Sequence, residues 1–319
     1  MISSIQFLEK GIECSKLDPY KFDGQIPNKF AGMELPSLDF EEETSDNSDD
    51  YSIKNSDIML FCTPNDEEMS YLQFYIYGDN QFYVHHDIYV YDTIVDSAYV
   101  QLERPWAALA TFDNDVWMYD ALTFNPLFPQ LLLKGHEDSI NCISWNKKCL
   151  VTTSNDNTLI RWDVGVNKII ERTKIGKASK LINDESGKII FSNENELNIL
   201  CGTDKISLDN KGIVESMRLD GYLLYTGDDL GIFRSYDIRN FKKRINKFKF
   251  HDEGITTIDL DNERIITGSL DQKIKIWDKT DLNEIRNIDT SDSIFSVRIC
   301  EYNPDFCVYG GLKDELKKL

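Results

Sequence analysis

The chain has 319 residues, of which 41% are hydrophobic and 12% aromatic, with only eight prolines. This composition is typical of a globular protein rich in the side chains that suit pleated strands. A formal net charge of −20 argues against nonspecific adhesion to nucleic acid and favours solubility or a basic partner.

Cysteine usage and the N-terminal segment indicate the compartment. The seven cysteines include no C-x-x-C pair and mostly lie among strand-like residues, which predicts buried free thiols in a reducing environment. The segment MISSIQFLEKG reaches Glu9 and Lys10 too early for a secretory signal, and no window approaches 18 apolar residues. We expect a soluble, intracellular protein.

The first predicted element is an apolar-alternating strand, ISSIQFLE, within residues 1–10. Residues 11–56 show no clear repeat and are predicted to form an acidic linker or arm that is partly disordered. Within this linker, residues 38–50 hold seven acidic residues and cannot contribute to a core. The acidic segment is either a docking arm for a basic protein or a solvated connection.

From residue 57 onward the chain reads as successive short strands. The stretch YLQFYIYGDNQFYVHHD predicts a hairpin, because two alternating aromatic runs flank a Gly-Asp-Asn turn. The next unit ends with ATFDNDVWMYD at Asp120. Both patterns favour an all-β domain over residues 57–319.

Two later units share one rigid spacing, H-x15-T-x3-D-x5-W. It relates His136, Thr152, Asp156 and Trp162 in the first copy, and His251, Thr267, Asp271 and Trp277 in the second. A catalytic His–Asp pair also has fixed spacing, but it would not be duplicated with a Trp and flanking strands. The duplication therefore indicates architecture.

Weaker copies fill the chain between and beyond these two. The strings SNENELNILC and TGDDLGIFRSYD end at Cys201 and Asp237, at the spacing of four-stranded propeller blades, and a final unit begins at SIFSVRIC. The total is seven units, the last without an outer strand. Since an open edge strand recruits other chains, we predict that residues 1–10 supply the fourth strand of the last blade and close the ring.

The paired copies resemble WD40 repeats through Gly135-His136 and Trp162-Asp163 in one copy and His251 and Trp277-Asp278 in the other. This resemblance implies a seven-bladed WD40-type β-propeller in which each His, Thr, Asp and Trp set forms a hydrogen-bonded structural tetrad. The other blades lack the full set and are expected to rely on apolar packing alone.

A narrower resemblance lies in residues 1–140. The strings MISSIQFLEKGIECSKLDPYKFD, SDIMLFCTPNDEEMSYLQFYIYGDNQFYVHHDI and ALATFDNDVWMYDALTFNPLFPQLLLKGHEDSI are similar to periodic tryptophan protein 1, a WD40 family of ribosome-biogenesis factors. Trp117 and Tyr119 depart from the family's second-blade signature, the acidic insert is short, and the family's charged C-terminal tail is absent. The chain looks like a shortened member.

That resemblance implies a non-enzymatic scaffold in the nucleus and nucleolus. Its partners would be pre-ribosomal large-subunit proteins and pre-rRNA, with no membrane, cofactor or small-molecule substrate, and it would act as a monomer within a larger particle. Two other hypotheses stay open from the residues themselves. One is an acidic chaperone for a basic ribosomal protein or histone, and the other is an adaptor in signalling or ubiquitin transfer.

The strongest candidate for RNA binding is the run FKKRINKFKF, expected on the outer strand of the fifth blade. Its cations are Lys242, Lys243, Arg244, Lys247 and Lys249. Clustered cations bind phosphates, and lysines on an edge strand also prevent aggregation, so both readings stay open. A weaker basic set follows the third blade and comprises Arg172, Lys174, Lys177 and Lys180.

Neither a metal site nor a catalytic site is predicted. In HHD at 85–87, neighbouring strand residues should point to opposite faces, so His85 and His86 should not chelate one ion together. The chain shows no nucleophile motif and no paired carboxylates, and IGKAS at 175–179 lacks the remaining residues of a phosphate loop. We therefore expect no enzyme activity.

Overall fold

The computed structural model describes residues 1–20, 28–30, 52–66, 69–202, 204–241, 244–312 and 316–319. The acidic segment 38–50 and two of the candidate cations, Lys242 and Lys243, lie outside the described residues. In the part of the chain that the structure covers, no helix has the length and apolar character needed to cross a bilayer.

Short strands make up almost all of the regular structure. In chain order the first half contains β1 (Ile2–Phe7), β2 (Asp18–Pro19), β3 (Ile58–Pro64), β4 (Ser70–Gly78), β5 (Gln81–Val90), β6 (Ile94–Gln101), β7 (Pro105–Thr111), β8 (Asp115–Asp120), β9 (Thr123–Phe124), β10 (Leu131–Lys134), β11 (Ile140–Trp145), β12 (Leu150–Ser154), β13 (Thr158–Asp163) and β14 (Lys168–Lys174). The second half contains β15 (Lys180–Asn183), β16 (Ile189–Asn193), β17 (Glu196–Cys201), β18 (Asp204–Asp209), β19 (Val214–Asp220), β20 (Leu223–Asp228), β21 (Ile232–Asp237), β22 (Arg244–Lys249), β23 (Ile255–Leu260), β24 (Arg264–Ser269), β25 (Lys273–Asp278), β26 (Glu284–Asp289), β27 (Ile294–Cys300), β28 (Asn303–Gly311) and β29 (Lys317–Lys318). Two 3-10 helices span Asn28–Phe30 and Ile238–Asn240.

These strands form seven antiparallel sheets arranged as the blades of a propeller, which confirms the predicted fold class. From the innermost strand outward, blade 1 is β1-β3-β4-β5 and blade 2 is β6-β7-β8-β10. Blades 3 to 6 are β11-β12-β13-β14, β15-β16-β17-β18, β19-β20-β21-β22 and β23-β24-β25-β26. Blade 7 is β27-β28-β29, and β2 pairs separately with β9 as a short parallel sheet.

The N-terminal strand lies elsewhere than predicted. It is the innermost strand of blade 1, with Ile5 opposite Cys62 and Phe7 opposite Leu60, and it is not the fourth strand of the last blade. The first and the last repeat unit of the sequence each lack one of the four strands of a blade, so either unit offered a place for the N-terminal strand. Blade 1 lacked the strand that lines the channel, whereas the last blade lacked only an outer strand.

The sequence of the N-terminal strand fits this inner position. In five other innermost strands an Ile or Val is followed by an irregularity in register, as between Ile94 and Asp96 or between Val214 and Ser216. The same irregularity lies between Ile2 and Ile5. The N-terminal strand therefore carries the signature of a channel-lining strand.

The junction that closes the ring uses the same contact as two earlier junctions. A Cβ added at Gly227 or Gly268 would lie 2.6 Å from the Ile that begins the next blade, and one added at Gly310 would lie 2.6 Å from Ile2 Cδ1. Glycine is required at these positions because the neighbouring isoleucine occupies the space of a side chain. Blade 7 thus packs against blade 1 as blades 5 and 6 pack against their successors.

The core is divided among the seven junctions between blades. Each of seven clusters of buried hydrophobic side chains joins two adjacent sheets, because successive residues of a strand point to opposite faces. The cluster between blades 1 and 2 also contains Leu17, Phe30 and Ile53. Described parts of the segment 11–56 are therefore packed on the propeller rather than forming a simple linker.

Candidate interaction surfaces

The first predicted tetrad forms a continuous chain of hydrogen bonds in blade 3. His136 Nδ1 lies 2.9 Å from Asp156 Oδ2, and His136 Nε2 lies 2.8 Å from Thr152 Oγ1. Trp162 Nε1 donates to the same hydroxyl at 2.8 Å. Because a carboxylate only accepts, Nδ1 carries the proton, the threonine hydroxyl donates to Nε2, and that hydroxyl accepts from Trp162.

Blade 6 repeats this arrangement with His251, Thr267, Asp271 and Trp277. The distances from His251 are 3.0 Å to Asp271 Oδ2 and 2.7 Å to Thr267 Oγ1, and Trp277 Nε1 donates at 3.0 Å. Burial lowers the pKa of both histidines despite the neighbouring carboxylates, which favours the neutral imidazole. With both ring nitrogens bonded and both side chains fully buried, neither histidine is placed to act on a substrate.

Blade 5 fills the same positions with different residues. Asn210, Thr226 and Tyr236 stand where blade 3 has His136, Thr152 and Trp162. Tyr236 donates to Asn210 Oδ1 at 2.8 Å, and Thr226 donates to the same oxygen at 3.3 Å. The prediction that blades without the full tetrad rely on apolar packing alone is therefore wrong for blade 5, where side chains outside the motif form a second polar network.

Blade 5 also holds a buried ion pair. Asp228 and Arg234 are 0% and 1% exposed, and Arg234 Nη1 lies 2.5 Å from Asp228 Oδ2. The other carboxylate oxygen accepts from the backbone N–H groups of Leu230 and Ile232. The carboxylate is fully engaged, whereas Arg234 Nε is buried without a hydrogen-bond partner among the described residues, so the pair depends on the contact between Nη1 and Asp228.

The histidine pair of blade 1 departs from the expected alternation. The register between β4 and β5 shifts at this point, because Phe74 pairs with His86 and the next residue, Tyr75, pairs with Val84. His85 therefore lies in a β-bulge. His85 Nδ1 and His86 Nδ1 consequently approach to 2.8 Å, and the prediction that these side chains point to opposite faces is wrong. Burial and the neighbouring His85 lower the pKa of His86 to about 3.

These histidines do not form part of a larger ligand set. His86 stacks on Phe74 at 4.4 Å, and both imidazoles are buried. Among the described residues, no group of three His, Cys, Asp or Glu side chains could hold a metal ion. The pair is best explained by packing and by the shared Nδ1 contact.

The candidate basic run lies on the rim, where the sequence predicted it. Arg244, Lys247 and Lys249 belong to β22, the outermost strand of blade 5, and all three are exposed. None of them forms an ion pair with another described residue. Their charges are therefore available to a ligand, and we call these three residues the basic rim strand.

The weaker basic set does not form one surface. Arg172 and Lys174 lie on β14, the outermost strand of blade 3, and Lys177 follows it on the surface. Lys180 instead begins β15, the innermost strand of blade 4, and lines the central channel. The four residues are close in sequence but lie at opposite edges of the blades.

The central channel has a volume of about 450 Å³ and is lined by the innermost strands of all seven blades. No innermost strand pairs with its neighbour through the backbone, and side-chain hydrogen bonds link them at six of the seven junctions, the exception among the described residues being the junction of blades 4 and 5. The bonds, in ring order, are Gln6 Nε2 to Ser97 O (2.8 Å), Ile143 N to Asp96 Oδ2 (3.1 Å), Asn183 N to Ser144 Oγ (3.0 Å), Ser216 Oγ to Ile255 O (2.7 Å), Ile299 N to Asp259 Oδ2 (2.8 Å) and Arg298 Nε to Ile5 O (3.0 Å).

Comparison with known families agrees with this architecture. The model of the WD domain, G-beta repeat, matches residues 128–163 and 242–278, which end with the two tetrad tryptophans and the aspartates that follow them. The chain is a WD40-repeat protein. Its propeller superposes on the crystal structure of the WD40 beta propeller domain of Doa1 with a TM-score of 0.70 at 14% identity, covering 82% of this chain and 88% of that one. This likeness shows the fold alone.

Two curated relatives of the WD40-repeat protein are similar over part of their length. Eukaryotic translation initiation factor 3 subunit I is 24% identical in Rattus norvegicus and 25% identical in Bos taurus, in each case over 201 residues. The match covers 56% of this chain and 61% of each relative. WD40 propellers generally mediate protein interactions without catalysis, and the described site geometry fits that class.

Proposed function

We propose that this WD40-repeat protein is a non-catalytic scaffold that binds precursor particles of the large ribosomal subunit and supports pre-rRNA processing. The observation that carries the proposal is the basic rim strand, which exposes three cations that form no ion pair with another described residue, on a chain with a net charge of −20. The resemblance of residues 1–140 to periodic tryptophan protein 1 supports the same function, with pre-ribosomal proteins and pre-rRNA as partners in the nucleolus.

The rim strand is suited to a phosphate backbone. Lys247 and Lys249 are two residues apart and lie on one face of the strand, about 7 Å from each other along it. This spacing is close to the distance between successive phosphates of an extended RNA strand. Each phosphate contact releases counterions, so binding should weaken steeply with salt.

Protein partners would bind elsewhere on the ring. The turns between the second and third strands of blades 2, 6 and 7 each begin with an exposed hydrophobic residue. These are Phe112, Leu270 and Leu312, which are 65%, 37% and 58% exposed. Apolar side chains at loop tips are typical of protein-binding faces. The propeller would thus hold RNA at its rim and proteins at one face, as a rigid platform.

A second candidate is a subunit of a translation-initiation assembly, favoured by the 201-residue similarity to eukaryotic translation initiation factor 3 subunit I. A third is an acidic chaperone for a basic ribosomal protein or histone, favoured by the charge of −20. The three differ in what they bind. The first requires large-subunit precursors, the second initiation complexes, and the third one basic protein without RNA.

Sedimentation of a cell extract on a gradient, with sequencing of RNA crosslinked to the tagged protein in each fraction, separates these candidates. Co-migration with large-subunit precursors and reads in one pre-rRNA region would support the proposed function. Co-migration with small-subunit initiation complexes would favour the second candidate. A slow peak that holds one basic partner and no RNA would favour the chaperone and overturn the proposal.

The rim can be tested within the same experiment. Changing Arg244, Lys247 and Lys249 to Ser should reduce crosslinked RNA at least tenfold, and adding Lys242→Ser and Lys243→Ser tests the full run. A matched control changes Lys168, Lys174 and Lys177 to Ser, which removes the same charge from blade 3 and the turn after it. Equal RNA recovery from the rim variant and the control would show that the rim does not bind RNA.

A further inference from the structure

The lining of the central channel contains cations whose role neither the rim nor the protein-binding face explains. Three cations line it, Lys180 from blade 4, Arg218 from blade 5 and Arg298 from blade 7. Two of them, Arg218 and Arg298, occupy the same position in their strands, four residues after the Val or Ile that begins each strand. In blade 6 that position is Asp259, so the two arginines flank one carboxylate.

Much of the hydrogen-bonding capacity of these cations is unused. Arg298 donates through Nε to Ile5 O at 3.0 Å, and its two terminal nitrogens have no acceptor within the described residues. Arg218 pairs through Nε with Asp259 at 2.8 Å. The Lys180 ammonium forms no hydrogen bond or ion pair with a described residue, although its charge acts on Asp96. A guanidinium offers five N–H donors, so each arginine keeps donors for a ligand.

The carboxylates near the arginines are already engaged. Asp259 is 2% exposed, and its Oδ2 accepts from Ile299 N at 2.8 Å. Asp96 accepts from the backbone of Ile143 and Ser97. Glu215 also lines the channel, but it lies three residues before Arg218, about 10 Å along the strand. Asp259, Asp96 and Glu301 all act electrostatically on Arg298, but among the described residues no carboxylate accepts from its terminal nitrogens.

Burial and the repulsion between the two arginines make their charges costly. Burial, and after it the positive charge of the neighbouring Arg218, lowers the pKa of Arg298 to about 10. Charges interact more strongly in a confined channel than in bulk water. The planar fork of arginine matches the paired oxygens of phosphate and carboxylate groups. An oxyanion between the two arginines would relieve their repulsion and use their free donors.

We propose that the channel of this WD40-repeat protein binds a small phosphorylated anion between Arg218 and Arg298, with Lys180 contacting its far end. A volume of about 450 Å³ lies within the range of small-molecule sites and exceeds the needs of one phosphate, which favours a molecule with more than one phosphate group. The anion would be a structural ligand and not a substrate.

Such a ligand would act across the junction that closes the ring. Arg298 already joins blade 7 to Ile5 of blade 1, and Arg218 is joined through Asp259 to the backbone of blade 7. An anion held by both arginines would connect blades 5, 6, 7 and 1. Because it binds only the closed ring, it should raise the melting temperature progressively as its concentration increases.

Pyrophosphate is a suitable probe for the purified full-length chain. Calorimetric titration and thermal melting at fixed ionic strength should show saturable binding and a rise in melting temperature. Arg218→Gln should weaken binding at least tenfold, and Lys180→Gln should weaken it by a smaller factor. Lys247→Gln, which removes a charge from the rim, is the matched control and should bind as the unaltered protein does.

Three results would overturn the proposal. The first is equal affinity in Arg218→Gln and the unaltered chain. The second is loss of binding in the rim control, which would locate the ligand outside the channel. The third is an equal rise in melting temperature with sodium chloride at matched ionic strength. If Arg218→Gln does not fold, Lys180→Gln decides the question, and unchanged affinity there counts against the site. No outcome depends on RNA binding, so this inference and the proposed function can fail separately.

Discussion

Blades 3 and 5 have the same strand order, but they use different chemistry to join their second and third strands to the segment that precedes the first strand. Blade 3 uses a neutral imidazole between Asp156 and Thr152, whereas blade 5 uses the amide of Asn210 as a shared acceptor for Thr226 and Tyr236. Blade 5 adds a buried ion pair where blade 3 has Ser154 and Ile160. What the two blades share is a set of positions, not a set of residues.

The two networks differ in which hydrogen bonds are lost when one of their residues is substituted. In blade 3 both His136 Nε2 and Trp162 Nε1 depend on Thr152, because its hydroxyl serves both of them. In blade 5 the central acceptor is Asn210, and the ion pair of Asp228 and Arg234 is a separate unit. The two blades should therefore respond to different substitutions.

The largest expected effect is in blade 5. Asp228→Asn keeps the shape of the side chain but leaves Arg234 as an unpaired buried charge, which should lower the free energy of unfolding by about 3–5 kcal/mol. Urea denaturation at pH 7.5 measures the loss. Adding Arg234→Met removes the stranded charge and should recover part of the stability. A loss below about 1 kcal/mol in Asp228→Asn would contradict a structural role for the pair.

Acid should weaken the histidine-containing blades. The pKa values of His86, His136 and His251 are all lowered on folding, so below about pH 6.5 the unfolded chain binds protons that the folded chain does not. Stability is therefore present above pH 6.5 and declines as the pH falls. With a folded pKa of about 3, His86 alone should reduce the free energy of unfolding by about 2 kcal/mol at pH 5.

Denaturation at pH 7.5, 6 and 5 tests the acid effect and separates the blades. Hydrogen exchange should show that protection falls with pH in β12 and β13 more than in β20 and β21, since Asn210 does not titrate. Equal stability at pH 7.5 and 5 would show that these imidazoles do not resist protonation in the folded chain.

The hydroxyl at the centre of each network gives a smaller contrast. Thr152→Val leaves Trp162 Nε1 and His136 Nε2 without partners and should cost about 2 kcal/mol. Thr226→Val should cost about 1 kcal/mol, because Tyr236 still donates to Asn210. Both variants replace a hydroxyl by a methyl group at a buried site. A larger loss of stability in Thr226→Val than in Thr152→Val would contradict this prediction.

The smallest expected effect is at the outer edge of blade 5. Changing Arg244, Lys247 and Lys249 to Ser should alter the free energy of unfolding by less than about 0.5 kcal/mol for each residue, since all three are exposed and unpaired among the described residues. The measurement is urea denaturation of the rim variant used for RNA crosslinking. A large loss of stability would mean that lost RNA binding in that variant reflects unfolding.

Sequence patterns predicted the seven blades and placed both tetrads because the H-x15-T-x3-D-x5-W spacing is rigid and the strands alternate regularly. They did not predict the network of Asn210 and Tyr236, since neither residue belongs to the motif and only their shared position relates them to His136 and Trp162. Aligning blade 5 with blade 3 residue by residue could have found it.

Other errors came from contacts between segments that are distant in sequence. The apolar alternation of residues 2–9 does not by itself distinguish a partner at 58–64 from one at the C-terminal end, and the irregularity after Ile2 is visible only in the pairing with β3. The bulge at His85 depends on the register of the opposing strand, which alternation within one strand does not reveal. The cation cluster of the channel likewise appears only when Lys180, Arg218 and Arg298, from three separate repeats, are brought to one axis.

The contact between Ile2 and Gly310 determines when the ring can be completed. These residues are 308 positions apart, and blade 1 obtains its innermost strand from the first residues of the chain. During synthesis β1 emerges before the other strands of the ring, yet the side of β1 that faces blade 7 cannot be covered until blade 7 has been made. We therefore expect closure to be the slowest step of folding, with Ile2 and Ile5 exposed to other chains until it occurs.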